Sequence, residues 1–197
     1  MKPVFKKADR NNVTNYRPIS LLISFSKVLE KITYDRLKHV QINNILGEEE
    51  YGFRTSSSTD KAAFKLTDKI LNALNNKLMV AGIFCDLQKA FDCVNHNILL
   101  TKLEFYGITG TAYILIKSYL EGRYQRVVLN NISLDSCSNW GKINHGVPQG
   151  LLLGPLHFSV YINDLPKISN DNSKTVLFTD DTSIIITNPD PTIFKTV

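Results

Sequence analysis

Apolar residues recur every three or four positions in several stretches of the chain, which is the spacing of one face of a helix. The first such stretch begins after Pro18, which forces Arg17 into an extended conformation. Gly107 and Gly122 end two of the later ones. The stretches that predict helices are Phe25 to Leu37, Ala63 to Leu74, Ile98 to Phe105, Ala112 to Leu120 and Leu156 to Leu165.

Other apolar positions are continuous or come as paired runs, which favours strands. Leu78 to Asp86 is a nearly unbroken apolar run and predicts a strand buried on both faces. Arg126 to Leu129, a turn at Asn130-Asn131 and the stretch through Trp140 predict paired strands. Strands interleaved with helices predict an α+β fold, with helices layered on one side of a sheet.

A hairpin with two acids at its tip is predicted near the end of the chain. The apolar runs Val176 to Phe178 and Ile184 to Ile186 flank Asp180 and Asp181. Adjacent carboxylates repel each other, so the pair adds no stability to the turn unless a cation neutralises it. Aspartate is also a common turn residue, and a solvated turn is therefore the alternative.

A third acid, Asp86, ends the continuous apolar run. A carboxylate at the end of a core strand costs free energy unless it has a cation or a hydrogen-bond partner, whereas an exposed strand end carries no such cost. If this strand neighbours the hairpin, Asp86, Asp180 and Asp181 converge. Three such carboxylates can hold two Mg²⁺ ions, the arrangement used for in-line displacement at phosphorus.

Composition narrows the class of protein. The 197 residues are 43% hydrophobic and 21% charged, as in ordinary globular proteins. The first residues lack the apolar core of a signal peptide, and no apolar stretch is long enough to span a membrane. Cys85, Cys93 and Cys137 form no CxxC pair, which favours a reduced intracellular protein, nuclear or cytoplasmic, without a zinc site.

The net charge of +5 is concentrated near the start of the chain. Residues 1–41 carry nine Lys or Arg against three Asp or Glu, and the remainder is close to neutral. A basic lobe ahead of an acid-bearing body suggests a polyanionic partner, with a solvated basic face as the alternative. The glycines of residues 145–158 surround Gln149 and allow backbone to approach a ligand closely.

Five segments resemble, in this order, the reverse transcriptases of LINE-type (non-LTR) retrotransposons, and the jockey-like group most. They are NYRPISLL, YGFR, DLQKAFD, GVPQGLLLGPL and FTDD, within Asn15 to Ile186. The resemblance implies an RNA-directed DNA polymerase that joins dNTPs to a primer 3′-hydroxyl, with an RNA template and a DNA primer as partners. It implies no membrane partner.

The resemblance also implies the fingers and palm of a right-hand polymerase. Residues 1–75 would be a fingers-like basic lobe and residues 76–197 the palm, a ferredoxin-like sheet with helices on one side; part of the fingers interleaved with the palm is the alternative. The family's thumb, primer grip and upstream endonuclease are not found in the sequence. The chain is therefore expected to be a fragment of a longer polyprotein.

The resemblance assigns roles to particular residues. Asp86 and Asp180 would be the principal ligands of two Mg²⁺ ions, or of Mn²⁺, assisted by the Leu87 carbonyl and by Asp181 as the second acid of the pair. Phe91 resembles the steric gate that excludes a 2′-hydroxyl. The cations Arg17, Lys6 and Lys7 resemble triphosphate contacts, Gln149 a dNTP contact, and Arg54, Gly146 and Gly150 template contacts.

Each of these roles has a plainer alternative, and the sequence departs from the family in two places. Phe91 alone would be a core residue, and Arg17 alone a surface charge. Thr179 stands where the family usually has alanine before the acids, and Leu151 where it usually has serine after the glycine loop. Leu151 and the missing thumb favour an alternative function, an inactive remnant that at most binds nucleic acid. An RNA-dependent RNA polymerase is disfavoured by Phe91 and FTDD.

Overall fold

The computed structural model describes residues 1–37, 45–54, 56–130, 135–168 and 172–190, which form helices and strands in mixed order. The helices are α1 (Ser24–Leu37), α2 (Thr59–Asn75), α3 (His96–Phe105), α4 (Gly110–Leu120) and α5 (Leu153–Ile162). The strands are β1 (Lys2–Phe5), β2 (Tyr16–Ile19), β3 (Met79–Asp86), β4 (Tyr124–Gln125), β5 (Val128–Asn130), β6 (Asp135–Cys137), β7 (Gly141–Lys142), β8 (Ser173–Phe178) and β9 (Asp181–Asn188). The predicted mixture of helices and strands is confirmed.

The chain folds into two compact units, each made of two separate stretches of sequence. The first unit comprises Met1–Lys38 and Phe91–Phe158, and the second comprises His39–Ala90 and Ser159–Val197. Within the described part of the chain, no helix is long and apolar enough to cross a membrane.

The second unit is built on an antiparallel sheet with the strand order β3-β9-β8. Strands β8 and β9 are the predicted acidic hairpin; because Phe178 pairs with Asp181, only Thr179 and Asp180 form its turn. Helix α2 packs against the three strands, and the Ser58 side chain caps its N-terminus by accepting a hydrogen bond from the Lys61 N–H.

The predicted burial of β3 on both faces is wrong. In the described sheet β3 is an edge strand, and Met79, Ile83 and Phe84 are exposed, the last by 67%. An apolar run indicates that a strand can be buried, but the residues that would cover it come from other parts of the chain. The Phe84 ring lies over Gly82, two residues earlier on the same face of the strand.

The first unit has a helical core with small pairs of strands around it. Buried Leu99 and Leu103 of α3, and Ile116 and Leu120 of α4, supply apolar core side chains. Strands β1 and β2 form an antiparallel pair, as do β4 and β7. Strands β5 and β6 pair as predicted; Asn131 of the predicted turn lies outside the described residues.

Helix α1 buries a glutamate side chain and exposes much of its apolar stripe. Phe25 is 79% exposed, whereas Glu30 is only 4% exposed. The Tyr119 hydroxyl donates to Glu30 Oε1 at 2.7 Å, and the Leu152 N–H donates to Glu30 Oε2 at 3.3 Å. Burial, reinforced by this hydrogen bond, raises the pKa of the Tyr119 hydroxyl above its ordinary value. Glu30 thereby connects α1 to α4 and to the segment that precedes α5.

His157 is a buried histidine in α5 whose two ring nitrogens have no hydrogen-bond partner among the described residues. Burial, with smaller contributions from Arg123 and His96, lowers its pKa from 6.5 to about 4. The ring is therefore neutral in the folded chain near pH 7. Because the unfolded chain takes up this proton at a higher pH, stability present above pH 6.5 is lost as the pH falls towards 4.

We expect His157→Phe to remove this acid sensitivity, since a phenyl ring fills similar space and does not titrate. Between pH 6.5 and 4 the unaltered chain should lose about 3 kcal/mol more unfolding free energy than the variant. Urea unfolding at several pH values measures this difference, with exposed His145→Phe as the matched control. Parallel pH dependence in the unaltered chain and the His157 variant would contradict the assignment.

Candidate active site

The three predicted acids meet at one end of the sheet in the second unit. Asp86 is the last residue of β3 and pairs directly with Asp181, the first residue of β9. The Leu87 N–H donates to the Asp180 carbonyl at 3.1 Å, so the preceding pair, Asp86 and Asp181, lies at a non-hydrogen-bonded position of the ladder. Side chains at such a position share a face, with their Cβ atoms about 4.5–5.5 Å apart.

The hairpin turn that carries the acids is strained at Thr179. Its φ is 60°, in the left-handed region, where a β-branched residue is a genuine outlier. A two-residue hairpin turn with positive φ at its first position prefers glycine there. Such a conformation costs about 1–3 kcal/mol and persists only where the surroundings enforce it. Thr179 directly precedes Asp180, so the backbone conformation of Thr179 sets the direction in which the chain carries the acids beyond β8.

The carboxylates influence one another's protonation. Slight burial, followed by repulsion from Asp180 and Asp86, raises the pKa of Asp181 above its ordinary value. Three carboxylates are the hard oxygen donors that suit a divalent cation. Across the described ranges, however, no group of three or more His, Cys, Asp or Glu side chains is arranged so that it could hold a metal ion. The backbone brings the acids together, whereas the side chains do not form a closed cage.

The YGFR segment packs against this hairpin. The Tyr51 N–H donates to the Leu177 carbonyl, and the Leu177 N–H donates to the Glu49 carbonyl, both at 2.8 Å. A Cβ on Gly52 would overlap the backbone nitrogen of Thr179, so only glycine fits at this close approach. Arg54, predicted to contact the template, donates from Nη1 to the Gly47 carbonyl at 2.7 Å.

Glu50 is the residue of this site that sequence reasoning missed. It is 3% exposed, and its Oε1 accepts a hydrogen bond from the Gly52 N–H at 2.6 Å. Glu50 follows two other glutamates in the sequence, and neither periodicity nor a motif distinguishes the buried one. Its position directly before YGFR was the only available signal.

The glycine-rich loop lies in the first unit, where it contacts the segment around Phe91. The Val147 N–H donates to the Phe91 carbonyl at 2.8 Å, and the Gly146 N–H donates to the Val94 carbonyl at 2.7 Å. Gly146 has a φ of 88°, and a Cβ there would press on the Asp92 backbone. These contacts, together with its positive φ, make glycine the residue that fits at this position.

Phe91 and Gln149 are held by partners in the same unit. The Phe91 ring stacks on the Phe158 ring with centroids 5.0 Å apart and an interplanar angle of 27°. Gln149 Nε2 donates to Asp92 Oδ1 at 3.2 Å, while the Gln149 carbonyl accepts from the Ser20 N–H at 3.1 Å. The loop is thereby tied both to the Phe91 segment and to the end of β2.

The predicted triphosphate cations lie on the β1–β2 hairpin of the same unit. Arg17 pairs with Val4, and the Lys6 N–H extends the pairing by donating to the Asn15 carbonyl at 2.8 Å. Arg17 therefore lies on β2, and Lys6 directly follows β1. Lys7 follows, and all three cations are exposed. Gly150 approaches β2 closely, because a Cβ there would lie 3.0 Å from the Ile19 side chain.

The fold has a similar arrangement among solved structures. The chain is similar to apo telomerase from Candida tropicalis, with a TM-score of 0.51 and 14% identity over 87% of this chain and 32% of that one. At this identity the likeness concerns the fold alone.

The sequence comparisons then identify the family. The family model described as "Reverse transcriptase (RNA-dependent DNA polymerase)" matches residues 5–195, and the chain belongs to this family. It is 39% identical over 159 residues to a probable RNA-directed DNA polymerase from transposon BS of Drosophila melanogaster, covering 77% of this chain and 16% of the relative. It is 31% identical over 181 residues to the RNA-directed DNA polymerase from mobile element jockey of the same species, covering 88% and 19%.

These comparisons confirm the predicted resemblance to the reverse transcriptases of jockey-like, non-LTR retrotransposons. The chain spans less than a fifth of the length of these two relatives. The family generally uses divalent metal ions.

The close packing of the glycine loop gives a testable consequence at Gly154. A Cβ there would overlap the Pro148 carbonyl oxygen, whereas a Cβ on Gly141 would meet nothing nearer than the Gln125 carbonyl at 3.9 Å. We expect Gly154→Ala to lower the unfolding free energy by about 1–3 kcal/mol. Gly141→Ala is the control and should change it by no more than about 0.5 kcal/mol. Equal shifts in the urea midpoints of the two variants would contradict this packing.

Proposed function

We propose that this chain forms the catalytic core of an RNA-directed DNA polymerase, which joins a dNTP to the 3′-hydroxyl of a DNA primer on an RNA template. The observation that carries the proposal is the register that sets Asp86 opposite Asp181, with Asp180 adjacent. Membership of the reverse transcriptase family and the names of the BS and jockey relatives support the same activity.

In this proposal Asp86 and Asp180 would hold two Mg²⁺ ions, or Mn²⁺, with the Leu87 carbonyl and Asp181 assisting. When bound, such ions lower the pKa of the attacking hydroxyl and neutralise the leaving phosphates. The hairpin presents its carboxylates from rigid strands, which is how a site is kept within the narrow geometry that chemistry needs. The mutual repulsion of the acids, which after slight burial contributes to the raised pKa of Asp181, supports a cation here, because a positive charge would relieve it.

The first unit would bind the incoming nucleotide. Exposed Arg17, with Lys6 and Lys7, supplies positive charge for the triphosphate, and the planar fork of arginine suits phosphate oxygens. Phe91 acts as the steric gate; its stacking on Phe158 supports a fixed ring position. Gln149 contacts the dNTP.

The template strand would contact Arg54, Gly146 and Gly150. In right-hand polymerase terms, residues 1–75 are assigned to the fingers and residues 76–197 to a ferredoxin-like palm. The antiparallel order β3-β9-β8 supports the palm assignment.

Asp180→Asn is the direct test of the acidic cluster. With a homopolymer RNA template, a DNA primer, Mg²⁺ and labelled dTTP, incorporation should fall at least about a hundredfold, since the substitution removes a ligand charge. Asp60→Asn, which removes one exposed carboxylate from the first turn of α2, is the control and should retain activity.

Full incorporation by Asp180→Asn would contradict the proposed role of the cluster. An unaltered chain that binds the primer–template but incorporates nothing would instead favour the inactive remnant.

Phe91→Ala tests the gate separately. Opening space beside the sugar should raise the use of ribonucleotides relative to deoxynucleotides by about tenfold or more. Phe158→Leu is the matched control, because it loosens the same ring stack but leaves the Phe91 side chain in place. The ratio of kcat/KM for UTP and dTTP measures the selectivity. An unchanged ratio in Phe91→Ala, or an equal change in Phe158→Leu, would contradict the gate.

A further inference from the structure

We infer that Glu50 is a positioning residue for the acidic turn: its buried carboxylate holds the Thr179 backbone, and through it sets the direction of Asp180 and Asp181. The inference rests on the proposed function of those two acids. No motif places Glu50 in the site, whereas its contacts do.

The Glu50 backbone is anchored to the hairpin. Glu50 forms a parallel bridge with Leu177, and the residues on either side of it exchange hydrogen bonds with Leu177 at 2.8 Å. Leu177 lies two residues before Thr179 in the chain. The Glu50 side chain therefore projects from a backbone position that is fixed beside the end of β8.

The Glu50 carboxylate connects two turns. It accepts hydrogen bonds from the Gly52 N–H, at 2.6 Å, and from the Thr179 N–H. These two residues also touch, because Gly52 has no room for a Cβ against the Thr179 nitrogen. Removal of the carboxylate would leave these two N–H groups without this acceptor, beside a side-chain position that is only 3% exposed.

The contact falls on the strained residue of the hairpin. Thr179 has a φ of 60°, and its peptide directly precedes the two acids. A strained conformation persists when neighbouring groups over-determine it, and a hydrogen bond to the Thr179 N–H is such a constraint. Without it, we expect the turn to relax towards other conformations in which Asp180 and Asp181 have different directions.

Glu50 remains buried although the site is unfavourable to its charge. Burial raises its pKa from 4.5 to about 7, opposed in order by the hydrogen bonds from Gly52 and Thr179 and by the charge of Arg54. Its Oε2 is buried and has no hydrogen-bond partner among the described residues. The two N–H contacts to the carboxylate are thus its principal favourable interactions in this position.

Backbone amide exchange of the 197-residue chain, without metal or substrate, tests the contact directly. Glu50→Ala should accelerate exchange of the Thr179 amide about tenfold or more, because a hydrogen bond to a carboxylate is lost. Amides in the middle of β9, such as that of Ile185, should keep their rates. Glu50→Gln retains an acceptor oxygen on a side chain of the same length. The exchange rate of the Thr179 amide in this variant should therefore stay within about threefold of the rate in the unaltered chain. Glu48→Gln, the loss of an exposed neighbouring charge, is the control.

Steady-state primer extension tests the consequence for the acids. Glu50→Ala should lower kcat by about tenfold or more, while KM for dTTP stays within about threefold, because the acids and not the nucleotide contacts are displaced. Glu50→Gln should restore kcat. A merely structural role would lower the amount of folded protein and move the exchange of all β9 amides together.

If Glu50→Ala does not fold, Glu50→Asp decides, since it keeps the charge but withdraws the carboxylate by one methylene. It should lose Thr179 protection that Glu50→Gln retains; equal protection in the two variants would overturn the inference. Unchanged Thr179 exchange in a folded Glu50→Ala, or lost protection with full kcat, would overturn it as well. If Glu50→Ala accelerates Thr179 exchange but the unaltered chain has no polymerase activity, that result would overturn the proposed function and, with it, this role for Glu50.

Discussion

The antiparallel register between β3 and β9 is the constraint on which the candidate active site depends. Asp86 comes from one part of the sequence and Asp181 from a hairpin almost a hundred residues later, and only the strand pairing makes them neighbours. Because side chains alternate between the faces of a strand, a slip of one residue would place Asp86 on the opposite face of the sheet from Asp181. The apolar side chains of β9, including buried Ile185, oppose such a slip because it would turn them towards water.

Around this register the molecule retains several arrangements that a structure selected only for stability would avoid. Three carboxylates lie at one end of the sheet, a threonine adopts a left-handed backbone conformation, and Glu50 is buried beside it. Strain and buried charge gather where function demands a fixed geometry, and packing elsewhere must compensate. The first unit has a comparable feature in Glu30, whose buried carboxylate joins α1 to Tyr119, but there the hydrogen bonds tie elements of the scaffold together.

Much of the fold, and the acids of the site, could be predicted from the sequence, because local patterns carry that information. Apolar spacing located helices such as α4, and two short runs around Asp180 located the hairpin and its tip. The exposure of side chains was harder to predict from the sequence. The apolar run of β3 forms an edge strand, and Phe25 of α1 is exposed although its spacing is helical. Whether a residue is covered depends on distant partners, which periodicity does not report. The burial of Glu50 was hidden for the same reason, since its contacts with Gly52 and Thr179 distinguish it from the exposed Glu48.

The most direct test of this account is the proton–proton contact between the two strands that carry the acids. At a non-hydrogen-bonded position of an antiparallel pair, the two Hα atoms face each other at close range. An isotope-labelled chain studied by NMR should therefore show a strong nuclear Overhauser effect between the Hα atoms of Asp86 and Asp181. A strong effect from Asp86 to the Hα of Thr182 instead would mean that the strands are displaced by one residue and that the acids do not share a face. That result would contradict the candidate active site.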